Sequence, residues 1–405
     1  MAKECRLCAT PCAPKNQQYA LLTEVLNVVK LDDTLRTSII PDDLMRATSQ
    51  EWRRIQRDNV PVKLKVHEPA VQVREKLEMF LKDNFRVTEV NLSRENFYYE
   101  SCIRDEGMMM LAPVLIQCPL EKLQLCGLRI SDSGAIPVSL IVSCCPSLTH
   151  LNISYNNINV SGATCLGRAL RHCPSLQVLN VVSTQIQIAG FVEIAEGLVA
   201  SSHENQTSAL TSLFAGSNDI DIPRNEYDTQ YLQDPAELFS AALFNLTLNC
   251  SNLQTLDLFN NFIYRLDLVA RVLQNAKNLK VLNLGSTALG WDDRGGLEAF
   301  MMALQVQNSL TSLNLSSNFV SDDAFTRLAR VLPQCTTLAR LNLSLTDMGD
   351  KHVGAMSDAL ARSPHLTDLN LMFNELSLNG VNALRQAWLH GDKGLNVESQ
   401  DYEYG

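Results

Sequence analysis

The hydrophobic and polar positions of this chain follow a pattern that recurs ten times. Each copy carries apolar residues at its first, fourth and sixth positions, and its ninth position is filled mainly by Asn or Thr. Alternating apolar residues predict a short strand, and the polar ninth residue predicts a turn in which its side chain bonds neighbouring backbone groups. The copies open at Val87, Leu120, Leu148, Leu176, Leu210, Leu253, Leu279, Leu310, Leu338 and Leu366, and four of the nine spacings are 28 residues.

Each predicted strand is followed by a stretch whose apolar residues recur at helical spacing. In the copy that opens at Leu148, small and apolar residues from Gly162 to Leu170 lie at that spacing, and Pro174 ends the helix. One strand and one helix cannot bury their own apolar faces, so neighbouring units must stack. Because helices are bulkier than strands, we predict an α/β solenoid, a horseshoe with parallel strands on its concave face and helices on its convex face.

The repeats also set the predicted domain boundaries. Before them, Gln17–Lys30 and Pro69–Asn84 have the apolar spacing of amphipathic helices, and the second is expected to cover the open end of the first repeat. Residues 35–57, which include Trp52, are expected to pack on the same end or on a partner. The predicted parts are a partly helical extension over 1–68 whose first ~15 residues are flexible, a helical cap over 69–86, the repeats over 87–390 and a tail over 391–405.

These residues resemble the leucine-rich repeat family. The 28-residue spacing and the alternation of Asn and Thr at the ninth position are similar to its ribonuclease-inhibitor-like class, over Val87 to His390. Glu95 and Leu128 depart from the ninth-position pattern in the first two copies, which we interpret as a capping transition. The resemblance implies a horseshoe that binds proteins.

Composition restricts the partners. The 405 residues carry a formal charge of −10 with a pI near 5.3, so a surface for nucleic acid or anionic membrane is not expected. Apolar stretches such as 136–145 are shorter than the roughly 18 residues that span a bilayer, so membrane insertion is not expected either. The 12 cysteines are too few for a disulfide framework and indicate a reducing, cytoplasmic location.

The usual signatures of catalysis are absent from the sequence. It contains no phosphate-binding loop, zinc-protease motif or nucleophile elbow, so we expect no catalytic activity, cofactor or small-molecule substrate. Paired acids such as Asp322 and Asp323 stand at predicted helix starts, where they are expected to cap the helix. Cys5, Cys8 and Cys12 have the spacing of half a zinc site but lack a fourth ligand nearby, so no metal is predicted.

The predicted concave face is polar, with one interruption. The fifth position of most copies is Asn, which predicts a ladder of amides that bond one another along the sheet. Phe214 and Asp257 replace Asn in two adjacent copies, and Phe259 follows at the seventh position. Exposed aromatic residues are common at the centres of protein interfaces. The same copies flank a polar insertion near 219–235, so the candidate partner-binding residues are Phe214, Asp257, Phe259, Tyr227, Tyr231 and Trp52.

We therefore predict a non-catalytic scaffold that binds one or more proteins. A repeat array behind a helical N-terminal region is similar in arrangement to leucine-rich subunits of axonemal assemblies such as the dynein regulatory complex, which implies a cytoskeletal or ciliary location. The alternative is a regulator of a small GTPase, because the chain is also similar in repeat class and length to Ran GTPase-activating proteins. An innate-immune or F-box adaptor would carry a further module before the repeats.

Overall fold

One continuous β-sheet follows the repeats. The computed structural model describes residues 29–31, 61–65, 69–82, 86–93, 103–201, 208–222, 235–291, 294–391 and 394–400. Within these residues the sheet has 13 strands, which are hydrogen-bonded in the order of the sequence. The strands are β1 (Val29–Leu31), β2 (Pro61–Lys65), β3 (Arg86–Asn91), β4 (Lys122–Gln124), β5 (His150–Asn152), β6 (Val178–Asn180), β7 (Ser212–Phe214), β8 (Thr255–Asp257), β9 (Val281–Asn283), β10 (Ser312–Asn314), β11 (Arg340–Asn342), β12 (Asp368–Asn370) and β13 (Leu395–Asn396).

A helix follows almost every strand and covers the convex side. Neighbouring helices pack on one another as the strands do, which gives the predicted α/β horseshoe. The helices of the described residues are α1 (Ala70–Lys82), α2 (Arg104–Leu115), α3 (Asp132–Cys144), α4 (Val160–Leu170), α5 (Gln187–Ala200), α6 (Pro235–Asn249), α7 (Leu266–Asn275), α8 (Arg294–Val306), α9 (Asp322–Val331), α10 (Val353–Leu360) and α11 (Leu378–Ala387). Short 3-10 turns cover Leu332–Gln334 and Asp350–His352.

The register of the sheet pairs like positions of successive repeats. Leu151 lies opposite Leu179 in the parallel pair β5–β6, and Leu313 lies opposite Leu341 in β10–β11. Residues at the first, fourth and sixth positions are buried between the sheet and the helices, and they form one continuous core. Because the register is constant, a position number also describes a row of neighbouring side chains along the horseshoe.

The ninth position forms a buried row of hydrogen bonds between repeats. Asn318 Oδ1 accepts the backbone N–H groups of Thr287, at 3.2 Å, and Leu289, at 3.1 Å, both in the preceding repeat. Its Nδ2 donates to the carbonyl oxygen of Leu284 at 2.8 Å and to that of Leu315 at 3.0 Å. The bonds predicted for this position are present, and they join the turn of one repeat to the turn of the next.

Both ends of the sheet extend beyond the predicted repeats. At the N-terminal end, β2 pairs parallel with β3, and β1 pairs antiparallel with β2. Strand β1 occupies the last residues of the helix that was predicted over Gln17–Lys30; unpaired N–H and C=O groups at a sheet edge favour a further strand over a local helical pattern. At the other end, β13 pairs with β12 inside the predicted tail, so the sheet continues past residue 390.

Candidate protein-binding site

The fifth-position residues form one row across the concave sheet. The strand register places Phe214 between Asn180 and Asp257, and places Asp257 between Phe214 and Asn283. The row therefore changes from amide to aromatic to carboxylate and back to amide at the middle of the sheet. Its members in the repeats are Asn91, Gln124, Asn152, Asn180, Phe214, Asp257, Asn283, Asn314, Asn342 and Asn370.

The amides of this row mainly close turns within their own repeats. Asn152 Oδ1 accepts the backbone N–H of Ser154 at 3.0 Å, and Asn342 Oδ1 accepts that of Ser344 at 3.1 Å. A bond along the sheet is present between Asn314 Nδ2 and Asn283 Oδ1, at 2.8 Å. The predicted ladder thus exists in that pair, but the general function of the amide is to fix the backbone two residues later.

Asp257 makes the same turn with a carboxylate in place of an amide. Its Oδ1 accepts the backbone N–H of Phe259 at 2.9 Å. The side chain is half-buried, and this burial raises the pKa of Asp257, while hydrogen bonds from the Phe259 backbone and the Asn283 side chain lower it. Because an Asn would close the turn without a buried charge, the charge of Asp257 is not explained by the local structure.

Phe259 is accommodated by glycines on both sides. The seventh positions of the flanking repeats are Gly216 and Gly285. A Cβ on Gly285 would lie 3.0 Å from Phe259 Cδ2, and one on Gly216 would lie 2.9 Å from the Phe259 carbonyl oxygen. The ring occupies space that larger neighbours would fill, and 37% of Phe259 remains exposed. These glycines are a signal in the sequence that the candidate residues alone did not include.

Of the remaining candidate partner-binding residues, the structure describes only Phe214. Phe214 is half-buried at the end of β7. Residues 219–222 continue the regular turn, since Asp221 bridges to Phe262, and α6 resumes at Pro235. Tyr227, Tyr231 and Trp52 lie outside the described residues, as does most of the insertion near 219–235. The structure therefore places Phe214, Asp257 and Phe259 together, and we call these three residues the central concave patch.

A second set of exposed apolar residues lies at the eighth position, where the chain leaves the strand. Leu345 has φ 56° and Phe373 has φ 58°, in the left-handed region, and the two are 51% and 62% exposed. This conformation strains a side chain that branches or is bulky. Other repeats place Gly127, Ser183 or Ser217 there. Six of the ten repeats hold Gly, Ser or Asn at this position, so an apolar residue there is a further signal in the sequence.

Five of the eight cysteines that the structure describes are buried. Cys118, Cys173 and Cys335 are buried free thiols, and burial raises the pKa of each to about 12. Within the described ranges, no cluster of three or more His, Cys, Asp or Glu side chains is placed to hold a metal ion. The Cys5, Cys8 and Cys12 group lies outside them.

Comparison with known proteins identifies the repeats. A Leucine Rich repeat family model matches residues 144–167 and 362–384. The mouse protein named NACHT, LRR and PYD domains-containing protein 14 is 31% identical over 180 residues, which are 43% of this chain and 16% of that protein. An internalin from Listeria monocytogenes superposes with a TM-score of 0.48 at 16% identity, over 93% of this chain and 98% of the internalin.

The two matched segments and the strand order together show the fold of a leucine-rich repeat solenoid. The matched part of this chain spans 16% of the length of the mouse relative. Solenoids of this kind generally present extended surfaces that bind other proteins. Among the residues that the structure describes, no helix is both long enough and apolar enough to cross a bilayer.

Proposed function

We propose that this protein is a non-catalytic scaffold that docks a protein partner on the central concave patch of Phe214, Asp257 and Phe259. The observation that carries this proposal is the replacement of the amide row by an aromatic and a half-buried carboxylate, beside a partly exposed Phe259 ring. Among the described residues the Asp257 carboxylate is hydrogen-bonded but forms no ion pair, and a half-buried charge and an exposed ring are both costly on a free surface. A partner that covers them would remove both costs.

The patch has the form of an interface centre. Strands about 4.8 Å apart give the ten predicted repeats a concave ribbon roughly 45 Å long, which can hold a typical interface of about 800 Å² per partner. Aromatic anchors surrounded by polar residues are typical of the centres of such interfaces. Because Asp257 is negative, we expect the partner to place a basic group beside an apolar one at this point.

The proposal also includes the class of the repeats and the cellular location of the protein. The 28-residue spacing and the alternation of buried Asn and Thr at the ninth position support the ribonuclease-inhibitor-like class, as in Thr184 beside Asn218 and Thr346 beside Asn374. Buried free thiols support a reducing compartment. We place the protein in a cytoplasmic assembly of the cytoskeleton, such as a ciliary axoneme, where it acts as a structural or adaptor subunit.

The test compares partner capture by three variants in cells of the source organism, with cross-linking and mass spectrometry. Phe259→Ala removes the ring and Asp257→Asn removes the charge while it keeps the turn. Met372→Ala is the matched control, because Met372 is a half-buried seventh-position residue four strands away. All three must keep the far-ultraviolet circular dichroism of the wild type.

We expect Phe259→Ala and Asp257→Asn to lose a common partner that Met372→Ala retains. Capture of cytoskeletal subunits would support the proposed assembly, and capture of a lone small GTPase would favour a Ran GTPase-activating-protein-like regulator, to be checked by a GTP hydrolysis assay. If every co-purifying protein is retained by both patch variants, the central concave patch is not a docking site.

A further inference from the structure

Two apolar residues lie next to each other on the rim of the horseshoe, where the chain leaves strands β11 and β12. They are Leu345 and Phe373, the eighth residues of consecutive repeats, and we call them the eighth-position pair. The N–H of Leu345 donates to the carbonyl oxygen of Met372 at 3.1 Å. The next N–H, of Thr346, donates to Asn374 Oδ1 at 3.0 Å. These bonds reach the residues on both sides of Phe373, so the two members of the pair are direct neighbours.

The pair has a backbone conformation that disfavours apolar side chains. The φ angles are 56° at Leu345 and 58° at Phe373, in the left-handed region. In this region Cβ comes close to the following carbonyl oxygen, and mainly Gly, Asn and Asp adopt it at low cost. Asn260 holds the same position in another repeat, with φ 53°. Because Asn would form the turn with less strain, the turn itself does not explain Leu345 and Phe373.

Burial does not offset this strain. Leu345 is 51% exposed and Phe373 is 62% exposed, so half or more of each residue faces water. Single exposed apolar residues are ordinary on protein surfaces, but two neighbouring ones form a continuous apolar area. Strained backbone positions are common at ligand clamps and switch regions. The combination of strain and exposure therefore indicates that the eighth-position pair contacts a partner.

The charged side chains around the pair are acidic. Asp347 and Glu375 are exposed, and each follows a member of the pair by two residues. Glu398 lies at the pair itself, because its Oε1 accepts the backbone N–H of Phe373 at 3.1 Å. Among the residues that the structure describes, none of these three carboxylates forms an ion pair. The apolar area is therefore bordered by negative charge.

This charge distinguishes between the possible occupants. A second copy of the chain, docked symmetrically, would place the same carboxylates against these, and like charges repel. Nucleic acid is a polyanion and is repelled for the same reason. A protein partner with basic side chains beside an apolar one would be attracted by the carboxylates and would cover the pair.

We propose that the eighth-position pair binds a basic amphipathic segment of a protein partner. An apolar side chain of the segment packs on Leu345 and Phe373, and Arg or Lys residues beside it face the three carboxylates. Burial of the pair provides affinity, and the charges select the partner. This inference rests on the proposed function in that the chain binds proteins, but it uses a different surface from the central concave patch.

The probe is an array of nonapeptides. One position holds Leu or Ser, an adjacent position holds Arg or Glu, and the others are randomised. Binding of the full-length protein to the array is measured first, and the affinity of the best peptide is then determined by fluorescence anisotropy. We expect peptides that combine Leu with Arg to bind most strongly, and peptides that combine Leu with Glu to be depleted.

A double variant tests the pair and keeps the turn. Leu345→Asn with Phe373→Asn removes both apolar side chains and supplies a residue that the left-handed conformation tolerates. We expect it to lower peptide affinity about tenfold or more, while the thermal midpoint of the free protein stays equal or rises. Tyr155→Asn is the matched control, because Tyr155 is also an eighth residue, with φ 56° and 52% exposure, in a distant repeat. It should change the affinity less than about twofold.

A second double variant tests the charges. Asp347→Asn with Glu375→Gln removes two of the three carboxylates, so we expect a lower affinity and a weaker dependence of that affinity on salt than in the wild type. Asp358→Asn is the charge control, since Asp358 is exposed on α10 away from the pair, and it should leave the salt dependence unchanged. Phe259→Ala, in the central concave patch, should leave peptide affinity unchanged.

The proposal is overturned if the array shows no preference for Leu combined with Arg, or if the double Asn variant binds the peptide as tightly as the wild type does. It is also overturned if Tyr155→Asn weakens binding as much, or if the charge variant keeps the salt dependence of the wild type. A dimer in sedimentation velocity that the double Asn variant dissociates would make a second copy the occupant and overturn it too. Each of these results leaves the scaffold proposal intact, since its own test uses the concave variants.

Discussion

Replacement of Asn318 by Ala tests whether the buried ninth-position amides hold neighbouring repeats together. Asn318 is 1% exposed, and its side chain accepts the N–H groups of Thr287 and Leu289 and donates to the carbonyl oxygen of Leu284. In the variant, the N–H groups of Thr287 and Leu289 lose their acceptor in a site that water does not reach. The Leu284 carbonyl oxygen keeps a bond from Thr287 Oγ1 at 2.6 Å.

The expected loss follows from the two orphaned donors. Each buried N–H without a partner costs about 1–3 kcal/mol, so the free energy of unfolding should fall by about 4 kcal/mol. The loss is measured by urea unfolding followed by circular dichroism. Because each repeat contacts only its neighbours, amide hydrogen exchange should also accelerate at Leu289 more than in distant repeats such as the one that opens at Leu148.

The matched control is Asn342→Ala, the same substitution at the fifth position. Asn342 is half-exposed, and its Oδ1 accepts from the Ser344 backbone at 3.1 Å and from the Ser344 hydroxyl at 2.9 Å. Water can replace these bonds, so we expect a loss below about 1 kcal/mol. If Asn318→Ala and Asn342→Ala lower the free energy of unfolding by the same amount, burial of the ninth-position amide does not stabilise the contact between repeats.

Three further predictions concern single side chains. Asp257→Asn should raise the free energy of unfolding at pH 7, because burial raises the pKa of Asp257 and so penalises its carboxylate in the folded state. The gain should vanish below the ordinary pKa of 3.8, where Asp257 is protonated in both the folded and the unfolded state, and urea unfolding at a series of pH values measures it. Leu345→Asn should raise the free energy of unfolding by about 1 kcal/mol, and the thermal midpoint with it, since Asn tolerates φ 56°; an unchanged midpoint would mean that Leu345 is not strained. With a thiol-reactive dye at pH 8, Cys144→Ser should remove a fast phase that Cys335→Ser leaves unchanged, because Cys144 is exposed and burial raises the pKa of Cys335 to about 12; equal effects would contradict this.

Much of the candidate site was predictable because a repeat fixes register. Once each copy is aligned on its opening apolar residue, a residue's position number states which side chains stand beside it on the sheet. The adjacency of Phe214 and Asp257 follows from that alignment alone, and so does the position of Phe259 in the repeat after Phe214. The same alignment also shows Gly216 and Gly285 at the seventh positions beside Phe259. That they leave room for the Phe259 ring becomes clear only when the seventh positions of neighbouring repeats are compared.

Other features needed the tertiary structure, because they depend on groups that lie far apart in the chain. Strands β1 and β13 form through backbone bonds to the edges of the array, and their short segments carry no copy of the repeat pattern. Trp291 and Glu375, from different repeats, likewise line one pocket only in the packed structure. The sequence by itself determined the architecture, since apolar spacing dictates which faces must be buried. Tertiary packing decided which side chains of different repeats lie together at the surface, because that depends on how the repeats stack.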